Sequence, residues 1–440
     1  MLRTRLGSLL LVAAVWPGGV AAATLTWPGV APCNTTLQAC IGAASAGDTV
    51  QIASNGPIAE NLTVDKSLAL APAATFAPVV NGYVLLQSTS AAAAITVQNL
   101  TVNGFVRGSP GTGNLTVHIL DNTVSINDSY GLAIEISSGT SPPYGNVTSE
   151  IRGNTVTVTG SGGSSQCAGI IVGPIEDPGT ATSSLINNTV TVTNCGQGVA
   201  VAAYNGPGEA MTVDIIGNRV NAQGTDDGIV LRNFEQVAGS VLTGRVINNL
   251  VTGQLDVAGF PGGIVVSADG FEHINATVVN NTVTGNDGGI GVGARTDLGA
   301  SIAGVVANNI VANNSVYGLQ IDSTLEATVS NSNNLVFNPG FDSFTPGPGT
   351  LTLDPQFVSP SDFHLQASSR AINAGSNARL PGDIVTDLYG AARVQFGVVD
   401  MGAYESGFPA TPSVPGLSWP GKLALAVLLA LGAVLALRRL

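Results

Sequence analysis

The run with the most chemical content is Thr225-Asp226-Asp227-Gly228, with Arg232 four residues past the glycine. Adjacent carboxylates beside a guanidinium are what acid–base or cation-assisted chemistry needs. Few other residues join them. His118, His273 and His364 stand in unrelated contexts and give no metal-ligand spacing. Glu272-His273 reads as an exposed loop pair. The four cysteines are even in number, as in an exported protein, and are better spent in disulfides than as nucleophiles. Asp226, Asp227 and Arg232 are therefore weak catalytic candidates, and the plainer reading of the acid pair is a solvated bend. No metal ion or other cofactor is expected.

The element that must position these residues is a repeat. An Asn-x-Val unit recurs at Asn122, Asn154, Asn188, Asn218, Asn249, Asn281, Asn309 and Asn334, in steps of 32, 34, 30, 31, 32, 28 and 25 residues. Between these units lies a second one, a glycine followed by apolar residues, at Gly131, Gly169, Gly198, Gly228, Gly263, Gly289 and Gly318. A period near 30 marks a solenoid. Each repeat holds three short β-branched runs that alternate apolar and polar, which predicts strands rather than helices. Three strands make one coil, and stacking pairs each strand with its equivalent about 4.8 Å away. Asn suits a left-handed bend, and equivalent amides one coil apart can form a ladder.

In the glycine runs the first and third residues after the glycine should point inward, as Ile229 and Leu231 do, and the residues between them outward. The outward positions include Val230 and Arg232, Val265 and Ser267, Gly291 and Gly293, Gln320 and Asp322, with no acids on neighbouring coils. Asp287 lies two residues before Gly289, but Phe260-Pro261 occupies that place one coil earlier, so no acid column is expected.

The organisation follows. Residues 1–23 read as a signal peptide: Arg3 and Arg5, an apolar Leu9–Val15, then Ala21-Ala22-Ala23. Residues 24–46 form an N-terminal cap with a short helix started by Thr35 or Thr36. Residues 47–338 carry the repeats, and 339–406 hold C-terminal coils and a cap. Residues 407–418 are a Pro-rich linker, and 419–440 a transmembrane tail. Leu423–Leu437 is uncharged and ends in Arg438-Arg439, which should stay cytoplasmic. Counted from Trp419 it spans about 28 Å as a helix, close to the roughly 30 Å of hydrocarbon.

Three cysteine pairings are possible. Cys167 and Cys195 lie 28 residues apart, just ahead of Gly169 and Gly198, which suits a bond between neighbouring coils. That leaves Cys33 with Cys40. Seven residues of helix span about 10 Å, so Cys33 must lie off the helix. The net charge is −13, and the body between the termini holds 10 basic against 28 acidic residues. This excludes nucleic acid as a partner and suits a soluble extracellular monomer.

The array resembles the right-handed parallel β-helix of the pectin-lyase-like superfamily over roughly residues 47–338. The expected fold is thus all-β, a parallel β-helix with three strands per coil. Enzymes of that superfamily imply clustered aspartates for Ca²⁺ with an Arg or Lys base, or paired carboxylates. Here Asp226-Asp227 matches only the adjacent-acid part of the hydrolase pattern. Leu353-Asp354-Pro355, Ser369-Arg370-Ala371-Ile372-Asn373-Ala374-Gly375 and Thr386-Asp387-Leu388-Tyr389-Gly390, with Arg393 and Asp400-Met401-Gly402-Ala403-Tyr404-Glu405, are similar to the C-terminal part of the choice-of-anchor Q family of bacterial surface β-helix proteins. The tail resembles the IPTL-CTERM sorting signal of Gram-negative bacteria, with Val414-Pro415-Gly416-Leu417 in place of the tetrapeptide and Arg438-Arg439 at the end. These resemblances imply an exported protein, anchored at the cell surface or released by a sorting protease. Its role would be structural, adhesive or carbohydrate-contacting. The alternative is a polysaccharide lyase or glycoside hydrolase. Aromatic residues make up 5% of the chain and few fall at outward positions, which weighs against the alternative, because sugar rings stack on aromatic faces.

Overall fold

The computed structural model describes residues 22–128, 131–137, 144–160, 167–173, 179–203, 210–224, 226–233, 240–255, 262–270, 273–337 and 346–409. Residues 1–21 of the expected signal peptide (1–23), Thr225, Phe260-Pro261, Glu272, and the expected linker and tail from 410 onward lie outside the described residues. No helix among the described residues is long and apolar enough to cross a membrane.

Three parallel sheets run the length of the molecule. The first holds the strands ahead of the asparagine, 12 of them from Thr24–Trp27 to Val329–Ser332. The second holds the Asn-x-Val strands, 11 from Pro57–Ile58 to Leu335–Phe337. The third holds the glycine runs, 10 from Leu62–Val64 to Tyr317–Ile321. Each strand pairs with its equivalent one coil away, so Ile134, Ile170, Val199, Ile229, Ile264, Ile290 and Leu319 stack in register. All seven are buried in one continuous core. The chain is an all-β parallel β-helix.

The asparagine column is continuous. Asn122 Nδ2 donates to Asn154 Oδ1 at 3.1 Å, and the same bond repeats at 3.0 Å down to Asn334. Each Oδ1 also accepts the backbone N–H of the previous asparagine, as Asn249 Oδ1 does from Asn218 at 2.8 Å. Each Nδ2 also donates to a backbone carbonyl, as Asn249 does to Ile215 at 2.8 Å. From Asn154 to Asn309 each amide thereby has its oxygen and both its N–H groups paired inside the protein, which is what a buried polar network requires.

The left-handed bend belongs to the residue before the ladder asparagine, not to the ladder asparagine itself. Asp121, Asn187, Asn248, Asn280, Asn308 and Asn333 have φ of 52–58°, and Gly153 and Gly217 fill the same place at 70° and 68°. The reason is local: the ladder side chain must point into the coil, so the turn is taken one residue earlier. The glycine of the other unit serves close approach. A Cβ on Gly228 would collide with the Val251 side chain and the Gly263 carbonyl of the next coil.

The N-terminal cap is a helix, α1 (Leu37–Ala43), started by Thr36, whose hydroxyl accepts from Ala39 N at 3.1 Å. Glu60 from the first coil places its two carboxylate oxygens 2.9 Å from the N–H groups of Leu37 and Gln38, at the positive end of the helix. Gln38 then pairs with the open edge strand Leu62–Val64: its Oε1 accepts Thr63 N at 2.7 Å and its Nε2 donates to Thr63 O at 3.1 Å. A side-chain amide stands in for a missing strand and closes the edge. Cys33 lies in the turn ahead of α1 and is bonded to Cys40, with 4.4 Å between their Cα atoms. Cys167 is bonded to Cys195 across neighbouring coils, 5.5 Å apart at Cα.

Beyond the last coil the chain turns back. Leu351 adds one bridge to Leu335, and residues 353–408 then run along the flank over the second sheet instead of continuing the coil. The left-handed asparagines fasten this clasp. Asn248 Nδ2 donates to Thr386 O at 2.8 Å, Asn280 Nδ2 to Asp400 O at 2.9 Å, Asn308 Nδ2 to Ser376 O at 3.1 Å and Asn333 Nδ2 to Ala374 O at 3.2 Å.

Candidate functional site

Asp226 and Asp227 open the strand Asp227–Asn233 of the third sheet, and they part company there. Asp227 is 2% exposed and accepts from Gly262 N at 3.3 Å. Asp226 stays half-buried, its backbone N–H bound to Gly196 O at 2.7 Å and its carbonyl accepting from Gln254 Nε2 at 3.0 Å. The solvated bend expected for the pair is therefore not what forms. Arg232 explains the burial: its guanidinium lies 3.6 Å from Asp227 and 3.7 Å from Asp269. Beside them the Tyr317 phenol is pushed above its ordinary range, by burial first and by the Asp227 charge second. An acid held this way is a charged strut rather than an accessible base.

The outward face of the third sheet also differs from expectation. Ala200, Val230 and Val265 do not lie open; with Ala168 they form an apolar cluster outside the main core, at most 4% exposed.

Two coils on, a cleft of about 490 Å³ opens, lined by Ser267, Asp269, Gly293, Arg295, Gln320 and Asp322. Asp269, which the sequence did not single out, follows the strand Ile264–Ala268, and Arg295 follows the strand Gly288–Ala294. Asp322 was visible as an outward acid but had no acid on the adjacent coil. Its partner across the cleft is Asp269, with Gly293 on the coil between them. Both have local duties. Asp269 accepts from Ser267 Oγ at 2.9 Å, and Asp322 accepts from Thr324 N and Oγ1 at 2.9 Å. Arg295 donates twice to Asp297 at 3.0 Å, and this pair holds the Asp297 carboxyl below its usual range. Among the described residues no three metal-ligating side chains converge. His118 pairs with Glu150 at 2.9 Å and His273 with Ser301 at 2.8 Å, five coils apart on the first sheet, and His364 with Asp362 at 2.6 Å in the clasp.

The densest group of ionisable side chains is inside the clasp. Arg393 is 1% exposed and donates to the carbonyls of Asp400 and Gly402 at 2.9 and 2.8 Å, with Glu405 3.4 Å away. The acids staple the loop: Asp387 accepts from Tyr389 N, Ala391 N and Glu405 N, and Asp400 from Asn373 N and Ser406 N. Burial pushes the Glu405 carboxyl up to about 8, against the pull of Arg393, and raises Asp400 as well. These residues fold the clasp.

No protein-family model and no curated protein matches the sequence. The solved structures similar to it include two polysaccharide lyases. The crystal structure of pectate lyase Pel9A aligns at 14% identity, covering 89% of this chain and 98% of its own, with a TM-score of 0.42. A mutant of the PL6-family alginate lyase AlyGC aligns at 13% identity, covering 90% of this chain and 60% of its own, with a TM-score of 0.30. Similarity at this level carries no inference about activity. The class of the protein rests on its own three parallel sheets.

Proposed function

We propose that the chain is an exported β-helix protein, held at the cell surface or released from it, whose solenoid serves a structural, adhesive or carbohydrate-contacting role. The observation that carries this reading is the clasp. The segment that precedes the Pro-rich linker is bound along four successive coils, so whatever holds the tail holds the whole solenoid. The choice-of-anchor Q resemblance falls on the residues that staple that segment, and the IPTL-CTERM-like tail follows it. Two formed disulfides agree with an oxidising compartment. In this reading Val414-Pro415-Gly416-Leu417 is a processing signal and the apolar tail is its membrane stop. Deleting residues 413–418 is expected to leave export intact while the full-length protein stays in the inner membrane. Identical fractionation of the deletion and the parent chain would overturn the sorting part.

The second reading, a polysaccharide lyase or glycoside hydrolase, has the Asp269–Asp322 cleft in its favour. Its test is product release from neutral and acidic polysaccharides with and without Ca²⁺. Turnover abolished by Asp322→Asn would establish it over the non-catalytic reading.

A further inference from the structure

The outer face of the second sheet falls into two halves. The clasp covers the later coils, where Thr282, Ile310 and Leu335 are at most 1% exposed. The earlier coils are bare and differently built. Asn81, Asn103, Ser125, Thr157 and Thr191 stand in one register column, at the coil spacing of about 4.8 Å, and the column runs on to Asn221, where Phe357 and Phe363 of the clasp line a cleft with it. Beside it, Thr159 pairs in register with Thr193. The chain carries 28 acidic residues, yet none of these positions is charged. A surface selected only for solubility would carry charges.

Over this face lies a cleft of about 520 Å³, lined by Asn103, Ser125, Asn127, Thr157 and Thr159 with Asp128 at one end. Its wall is continuous with an aromatic shelf. Gly104 lines the cleft, and the next residue, Phe105, stacks on Tyr83 from the previous coil, ring centroids 4.9 Å apart and planes 12° from parallel. Both rings are half-buried. The Arg107 guanidinium lies 5.2 Å from the Phe105 ring centre and is neutralised by Glu135 at 2.5 Å. Paired hydroxyls and amides that both donate and accept, next to a flat apolar ring pair, are the groups that recognise a sugar ring by its edge and its face. The cleft lining carries one carboxylate, Asp128, and no cation, so it gives an acidic polymer nothing to pair with.

We propose that this strip, from the Tyr83–Phe105 shelf across the Asn103–Ser125–Thr157 column, binds a strand of uncharged polysaccharide. The proposal rests on the carbohydrate-contacting reading above and assigns it a place and a ligand class. The test is affinity electrophoresis of the purified full chain through gels containing laminarin or xyloglucan, and through gels containing alginate or polygalacturonate. Retardation is expected in a neutral gel and not in the acidic ones. Phe105→Ala should weaken binding about tenfold, Phe105→Tyr should keep it, and Thr157→Val should weaken it several-fold with the unfolding midpoint unchanged. Binding that all three variants leave intact, or a preference for the acidic polymers, overturns this site and leaves the carbohydrate reading standing. Retardation in none of the gels overturns both, while the fractionation result for the tail stands apart.

Discussion

The Asn280 side-chain amide donates to the backbone carbonyl of Asp400, 2.9 Å away in space and 120 residues away in sequence. The same amide reaches Gly402 O at 3.3 Å, and the Asn308 amide donates back to Asn280 Oδ1 at 3.2 Å. A residue chosen for a left-handed bend thus also holds the clasp. The bend tolerates Gly, as Gly153 and Gly217 show, so the amide is present for its hydrogen bonds. Asn280→Gly keeps the backbone and removes the contact. The expected cost is about 1–3 kcal/mol, confined to the clasp. Amide exchange in residues 386–403 should accelerate, while exchange in the buried strands of the first sheet should not. Asn187→Gly, on a coil the clasp does not reach, is the matched control. Equal acceleration in both variants would show that the amide at 280 does nothing for the clasp.

Much of this was legible beforehand, and the parts that were not have physical reasons. The asparagine column, the inward Ile and Val positions and the short capping helix follow from period and alternation. The left-handed residue was misplaced by one position, because Asn-Asn doublets offer two asparagines and only the structure separates bend from ladder. Four of the five doublets, at 248–249, 280–281, 308–309 and 333–334, bond the clasp through their first asparagine, whereas the fifth, Asn187-Asn188, lies on a coil the clasp does not reach. The x of Asn-x-Val carried the same signal. It is Thr at 123, 155 and 189 where the face is bare, and Leu250, Ile310 and Leu335 where the clasp lies on it, while Arg219 and Thr282 meet the clasp through hydrogen bonds with Leu388 O and Ala403 N. Asp269 and Asp322 could not be paired from sequence because coil lengths vary between them. The Tyr83–Phe105 stack precedes the first Asn-x-Val unit, outside the frame that the repeat supplied.

The ladder itself makes a sharper test. Asn249 is fully buried, with Oδ1 accepting from Asn218 and Nδ2 donating to Asn281 Oδ1 and Ile215 O. Asn249→Ala leaves the Asn218 backbone N–H and one of its Nδ2 hydrogens without an acceptor and takes a donor from Ile215 O, while Asn281 Oδ1 keeps only the backbone N–H of residue 249. Unsatisfied buried groups cost about 1–3 kcal/mol each, so the loss should be at least that large and global. Asn249→Asp keeps the acceptor and removes the donor, and should fall between alanine and the parent chain. The measurement is the denaturant midpoint at fixed pH. An alanine variant as stable as the parent chain would mean the column is ornament to the sheet bonds.

The clasp should also respond to pH, through Glu405. Burial holds its carboxyl at about 8, while in the unfolded chain it titrates near its ordinary value, about 4.3. The folded state therefore binds the proton more tightly. Its contribution to stability is complete below the unfolded value and is lost as pH rises through about 8. Asp400, also raised by burial, acts in the same direction, and the Arg393 charge opposes both. Exchange of residues 386–403 should therefore quicken from about pH 5 to about pH 9 beyond the intrinsic base-catalysed rate. Glu405→Gln keeps the shape and the acceptor oxygen but cannot ionise, so its protection should fall less steeply over that window, with only the Asp400 contribution left, and be higher than the parent chain's at the alkaline end. A slope of the same steepness in the Gln variant would assign the pH response to another group. Loss of protection at acid pH, rather than gain, would mean that Glu405 is folded as the charged partner of Arg393 and that the pair outweighs burial.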